Sequence, residues 1–254
     1  MGPLRNAYLD ALGIDRWVPK NSPAEVTPVH ADGPAATSVM PAALRADAPS
    51  PAESPATWIP LPPTGEWGTL RERVAGCMAC GLCKTRTQAV FGVGNTRAEW
   101  MVIGEAPGAE EDRQGEPFVG RAGQLLNAML LAIGLPRETV FIANILKCRP
   151  PGNRDPKPEE VSKCLPYLSN QVALLAPKII LVVGRIAAQN LLGTDVPLAR
   201  LRGKLHAFGE SNIPLVVTYH PAYLLRTPAD KRKAWEDLKF ARAVYARVSG
   251  GGSA

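Results

Sequence analysis

Four short apolar runs rich in β-branched residues, WMVIGE (100–105), VFIANIL (140–146), KIILVVG (178–184) and PLVVTYH (214–220), punctuate the chain from residue 67 onward. Runs of this length suit strands buried on both faces, and the amphipathic segments between them carry the apolar spacing of crossover helices. AGQLLNAMLLAIG (122–134), the stretch 158–176, RIAAQNLLG (185–193) and the segment 231–248 supply those helices. Such alternation leaves few topologies open. It predicts an α/β domain, a three-layer α/β/α sandwich around a four-stranded, mainly parallel sheet.

In an open parallel sheet ligands bind beyond the carboxyl ends of the strands. Here every strand end carries unusual chemistry: Gly104-Glu105-Ala106-Pro107-Gly108, Asn144, Gly184-Arg185 and His220-Pro221. Pro221 prevents the last strand from continuing, which leaves His220 at its C-terminal edge. Four loops therefore converge on one crevice. The first, GEAPGAEEDRQGEPFVGRAG, combines glycines that permit close backbone approach, a cluster of acids and one aromatic, Phe118, before a helix start. It lacks both the Gly-Lys-Ser/Thr ending of a P-loop and the G-x-G-x-x-G turn. Glu110 and Asp112 in it are expected to face solvent or cap the loop.

A chain of 254 residues with 46% hydrophobic and 20% charged content can build one core with some chain left over. Residues 21 to 65 hold ten prolines and ten alanines without periodicity, the mark of a disordered linker. The expected division is a short docking peptide (1–20), the linker (21–66), a catalytic domain (67–249) and a flexible tail (250–254). Residues 1 to 60 carry four Lys/Arg against six Asp/Glu, leaving 25 against 17 for the rest, so the folded part is the basic one. Lys147, Arg149, Arg154 and Lys157, with Arg226, Lys231, Arg232, Lys233, Lys239, Arg242 and Arg247, suggest a basic face for nucleic acid. No apolar run spans a membrane and no signal-peptide core opens the chain, so a soluble, cytoplasmic, monomeric protein is expected.

The five cysteines fall as Cys77, Cys80 and Cys83 before the first strand, Cys148 after the second and Cys164 in the following helical segment. An odd number of thiols without an export signal points to metal ligation rather than disulfides. A C-x2-C pair with two distant cysteines can enclose one site, and four thiolates accept zinc or an iron–sulfur cluster alike.

Together CMACGLCKTRTQAVFGVGN, GEAPGAEEDRQGEPFVGRAG, NILKCRPPGNRDP and HPAYLLR resemble family 4 uracil-DNA glycosylases, the iron–sulfur branch of that superfamily. The resemblance covers roughly residues 67 to 248. It implies a DNA repair enzyme that flips uracil out of single- or double-stranded DNA and hydrolyses its N-glycosidic bond. Phe118 would stack on the base, Asn144 would pair with its polar edge, and Glu111 would lie against C5 and exclude the methyl group of thymine. Gly104 and Ala106 would line the base site, and His220 would donate to uracil O2 as negative charge develops there. Leu224 or Leu225 would fill the gap left by the base, with Leu224 the chosen wedge, and Arg226 would hold phosphate. Where the best-known branch of the superfamily has an aspartate, this chain has Ala106, so Glu105 becomes the carboxylate nearest the attacking water and Asn153 a second candidate. The resemblance also implies a [4Fe–4S] cluster on Cys77, Cys80, Cys148 and Cys164, with Cys83 as an extra thiol, in a structural role.

A non-catalytic DNA or clamp-loader adaptor on the same fold is the competing reading, and a redox sensor a third. In the N-terminal stretch RNAYLDALGIDRWVPK (5–20), Tyr8, Leu9 and Leu12 are expected to form an apolar stripe on a brief helix, with Ile14 and Trp17 as candidate additions. It is similar to the N-terminal peptide of the psi subunit of the bacterial polymerase III clamp loader, which implies docking on the chi subunit and association with the bacterial nucleoid.

Overall fold

The computed structural model describes residues 66–250; the expected docking peptide, the linker up to residue 65 and residues 251–254 lie outside the described residues. In chain order the elements are α1 (Trp67–Ala75), β1 (Val93–Gly94), β2 (Trp100–Gly104), α2 (Ala109–Gln114), α3 (Arg121–Ala132), β3 (Phe141–Asn144), α4 (Pro158–Leu175), β4 (Ile179–Val183), α5 (Arg185–Leu192), α6 (Leu198–Leu201), β5 (Leu205–Phe208), β6 (Ile213–Thr218), α7 (Pro221–Arg226) and α8 (Lys231–Gly250). The sheet order is β1-β3-β2-β4-β6-β5. β2, β3, β4 and β6 run parallel, as the four apolar runs predict, while β1 and β5 add antiparallel edges. The sheet thus has six strands rather than four. β1 is two residues long and β5 leaves Leu205 exposed, so neither carries the apolar run of a buried strand.

Strand residues alternate between two cores. Met101, Ile103, Phe141, Ala143, Ile180, Val182, Leu215 and Val217 pack with α1, α4 and α5 on one face. Trp100, Val102, Ile142, Ile179, Leu181, Val183 and Val216 pack with α3, α7 and α8 on the other. Two covered faces make the three-layer sandwich and explain why these strands are apolar throughout rather than alternating. Among the described residues no helix is long and apolar enough to cross a membrane.

One buried ion pair pins the last helix to the last strand. Asp237 of α8 accepts from Arg202 Nε at 2.6 Å and from Thr218 Oγ1 at 2.8 Å. The Arg202 guanidinium also lies 4.3 Å from the centre of the Tyr219 ring, so the strand end that delivers His220 is gripped from two sides. Removing one partner of such a pair strands the other charge in the interior. Arg202→Met is expected to lower the unfolding free energy by about 3 kcal/mol, read as a shift in urea midpoint at constant slope.

Candidate active site and thiol cavity

Strand register builds the crevice. Gly104 at the end of β2 stands opposite Asn144 at the end of β3, and Val183 at the end of β4 stands opposite Thr218 at the end of β6. A Cβ on Gly104 would lie 2.4 Å from Asn144 Oδ1 and 2.7 Å from Phe118 Cζ, so only glycine lets the amide and the ring meet over the strand end. Asn144 is 2% exposed, yet its Oδ1 has no hydrogen-bond partner. A buried acceptor without a donor costs on the order of 1–3 kcal/mol, so the group needs a physical reason to stand there. Ala106, two residues beyond Gly104, packs partly buried against the first core.

Phe118 sits in the left-handed region at φ +55°, which is uncommon for an aromatic residue, and its ring centroid lies 5.6 Å from that of His220. Glu111 is tied into the same loop, because its Oε1 accepts from Val119 N at 3.1 Å and Gly120 N at 3.2 Å. Asp112 departs from the expectation of a solvent-facing residue. It is buried, and its two oxygens each accept from Thr87 N at 3.0 Å, which fastens α2 to the segment after the first three cysteines. Glu110 remains exposed and pairs with Arg113.

His220 caps α7. Ala222 N donates to His220 Nδ1 at 3.1 Å, which makes Nδ1 the acceptor and leaves the proton of the neutral ring on Nε2. Burial, reinforced by Arg226 and opposed by Glu111, pushes its pKa down to about 4, so the ring is neutral in ordinary buffers. Gly184 makes room for it: with φ +102°, its missing Cβ would otherwise stand 3.1 Å from His220 Cβ. Leu224 corrects the sequence reading. It is 1% exposed and packed in the core under α7, whereas Leu225 is 37% exposed. One residue along a helix turns the side chain about 100°, so the solvent-facing leucine of the pair is Leu225. Arg226 is exposed beside it.

Glu105 is half-buried, and burial, with Asp155 adding and Arg185 opposing, pushes its carboxyl up to about 7. Asp155 is itself bridged to Arg185 at 3.0 Å. Asn153, at φ +54°, accepts from Arg149 Nε at 2.8 Å.

All five cysteines line one small pocket, together with Ala79, Arg86, Lys147, Lys163 and Tyr167. Arg86 Nη1 lies 3.0 Å from Cys148 Sγ, and Lys147 N donates to Cys164 Sγ at 3.2 Å. Among the described residues no three or more His, Cys, Asp or Glu side chains stand at the spacing of a single-ion site. Lys147 corrects the expected basic face: it is 1% exposed, and its ammonium donates inward to Asn144 O at 2.8 Å and Gln171 Oε1 at 2.6 Å.

Residues 91–239 match the uracil DNA glycosylase superfamily. A type-4 uracil-DNA glycosylase of Archaeoglobus fulgidus is 46% identical over 65% of this chain and 86% of its own length. The chain belongs to this superfamily. Within it, type-4 enzymes of Sulfurisphaera tokodaii and Pyrobaculum aerophilum are 43% and 44% identical, over 69% and 66% of this chain and 83% and 89% of theirs. The strand-end residues selected from sequence, Gly104, Glu105, Asn144 and His220, gather with Phe118 and Glu111 at one edge within the matched residues. Sequence reasoning missed the burial of Asp112 and Lys147, which no periodicity signals.

The raised Glu105 carboxyl predicts a pH-dependent stability. A carboxyl whose folded pKa is raised favours the folded state below its unfolded pKa near 4.5, and that contribution is lost as pH rises through about 7. Glu105→Gln, neutral at every pH, is expected to match the parent near pH 4 and to exceed it at pH 8 by about 1–2 kcal/mol after solvent screening, measured by urea unfolding at both pH values.

Proposed function

We propose that this glycosylase reads uracil in DNA with Asn144, stacks it on Phe118 and cleaves its glycosidic bond with His220 as the donor to the leaving base. The observation that carries the reading is the buried, unpartnered Oδ1 of Asn144 beside the Phe118 ring. Uracil presents an N3–H donor next to the O4 acceptor; with Oδ1 taking the proton of N3 and the amide nitrogen donating to O4, one side chain satisfies that edge. Cytosine has no proton on N3. Glu111, held rigid by two backbone amides, suits a steric stop against a thymine methyl.

In the reaction the bond from uracil N1 to deoxyribose C1′ breaks with its electron pair going to the base. Water adds to C1′ and gives up a proton, which leaves an abasic site and the uracil anion; uptake of one proton by that anion completes the hydrolysis to free uracil. Charge collects on uracil O2, where the Nε2–H of neutral His220 can donate a hydrogen bond without giving up its proton; a pKa of about 4 for the ring supports that division. Glu105, with its carboxyl near 7, suits orientation of the water and acceptance of its proton. Leu225 is the leucine available to fill the vacated stack, and Arg226 stands ready for the flanking phosphate.

The thiol cavity fits a multinuclear cluster on Cys77, Cys80, Cys148 and Cys164. Four thiolates would also accept zinc, and iron and sulfide analysis distinguishes the two. All five cysteines line that cavity, which supports a shared site, and the choice of four follows the sequence resemblance. Lys147, buried with only neutral oxygens as its hydrogen-bond acceptors, also suits a neighbouring anionic group. Such a cluster would staple the segment before β1 to the loop after β3 and take no part in bond cleavage. The N-terminal peptide, by its sequence, supports docking on the chi subunit of the clamp loader and a place at the replicating nucleoid.

His220→Ala and Asn144→Ala are each expected to slow single-turnover uracil excision at least about 100-fold with far-ultraviolet circular dichroism unchanged; near-parental rates in both would remove the assignment. Cys148→Ala is expected to lose iron, sulfide and thermal stability, whereas Cys83→Ala keeps all three. Metal and sulfide analysis of the two purified variants distinguishes the ligand set from its reverse.

A further inference from the structure

The loop that carries Phe118 has a feature that the roles assigned above do not use. Three successive peptide groups are divided between two opposite charges, and the middle one, between Phe118 and Val119, meets both. The N–H groups of Val119 and Gly120 donate to the Glu111 carboxylate. On the other side Arg137, in the 3-10 turn Arg137–Thr139, donates from Nη2 to Pro117 O at 2.6 Å and from Nη1 to Phe118 O at 3.4 Å. Asn127 of α3 steadies the same guanidinium, with Oδ1 accepting from Nη1 at 3.0 Å.

These contacts surround the residue at φ +55°. A left-handed conformation costs an L-residue on the order of 1–2 kcal/mol, and it persists only where its surroundings over-determine it. No side chain caps α3, because Gly120 occupies its N-cap position. Gly123, one turn in, has no room for a Cβ, which would fall 1.7 Å from Phe118 O. The helix thus runs close against Phe118 O, and the guanidinium fastens the carbonyls of Pro117 and Phe118. A single cation that spends its donors on two consecutive carbonyls has little value as surface charge and much as a clasp.

We propose that Arg137 is a positioning residue for base stacking: by clasping the carbonyls of Pro117 and Phe118 against the pull of Glu111, it maintains the left-handed turn that holds the Phe118 ring beside His220. The inference rests on the reading of Phe118 as the stacking surface for uracil. It does not make Arg137 a catalytic residue, since the side chain touches backbone and Asn127, not the reacting atoms. Lysine at the same position retains the charge and can donate to a carbonyl, but it lacks the planar fork that holds two consecutive carbonyls in fixed geometry.

The test is a double-mutant cycle in the full chain, read by single-turnover excision from a uracil-containing oligonucleotide at saturating enzyme, with DNA affinity measured separately. The parent protein's excision is the control for the underlying reading; if it is absent, that reading fails and the clasp is not at issue. Arg137→Met is expected to slow the chemical step about 30-fold with DNA affinity within about twofold, and Arg137→Lys to recover part of the loss. In a Phe118→Ala background the same Arg137→Met change is expected to cost less than about threefold, because the ring it positions is gone. An equal loss in both backgrounds, or an Arg137→Met rate within about threefold of the parent, overturns the proposal. Should Arg137→Met unfold, the cycle is run with Arg137→Lys, and additivity with Phe118→Ala overturns it in the same way.

Discussion

Everything at the site depends on the hydrogen-bonded register of four parallel strands. Once Gly104 is opposite Asn144 and Val183 opposite Thr218, the last residues of β2, β3, β4 and β6 end along one edge, and the residues that follow them have no direction to go but into a shared crevice. A slip of one residue in any pair would turn its side chains to the opposite face and exchange the two cores. The apolar residues that bury both faces of the sheet therefore also set the alignment of the polar ones at its end. Core and site are one constraint seen at different positions along the same strands.

The glycines at that edge serve proximity more than flexibility. Gly104 admits Asn144 and Phe118 to one volume, and Gly184 admits His220. Both lie where a ligand-binding sheet brings side chains from neighbouring strands together, and both replace contact between a Cβ and a functional group with contact between functional groups. Electrostatics then sorts the titratable pair. Burial moves the imidazole down and the carboxyl up, so that His220 is a neutral donor and Glu105 is poised near neutrality although the two share one edge.

Much of this was legible in the sequence because buried parallel strands carry an unmistakable β-branched signature and strand ends in such sheets host ligands. The four central strands, the helices after them and the polar residues at their ends all follow from that rule. The edge strands β1 and β5 were not legible, since two residues of pairing, or four with an exposed leucine, look like loop. Leu224 and Leu225 could not be ordered from sequence, because adjacent helical residues differ only by which side faces the core. Asp112, Lys147 and Arg137 share another cause: each makes contacts 3 to 25 residues away with backbone groups, which any sequence offers equally. Charged residues spent on main chain have no complementary partner in the sequence to reveal them.

Helix α7 is six residues long, and its two ends face different tasks. His220 caps it through its own ring, its backbone oxygen accepts from Tyr223 N and Leu224 N, and Tyr223 Oη donates to Asp230 Oδ2 at 2.5 Å in the turn beyond. So short and so thoroughly tied an element has no internal joint, with Leu224 as its keel in the core and Leu225 on its outer side. On the reading proposed above, pressure of a duplex on Leu225 would reach the imidazole through this short helix, so that opening of the stack and the direction of the Nε2 proton would be linked.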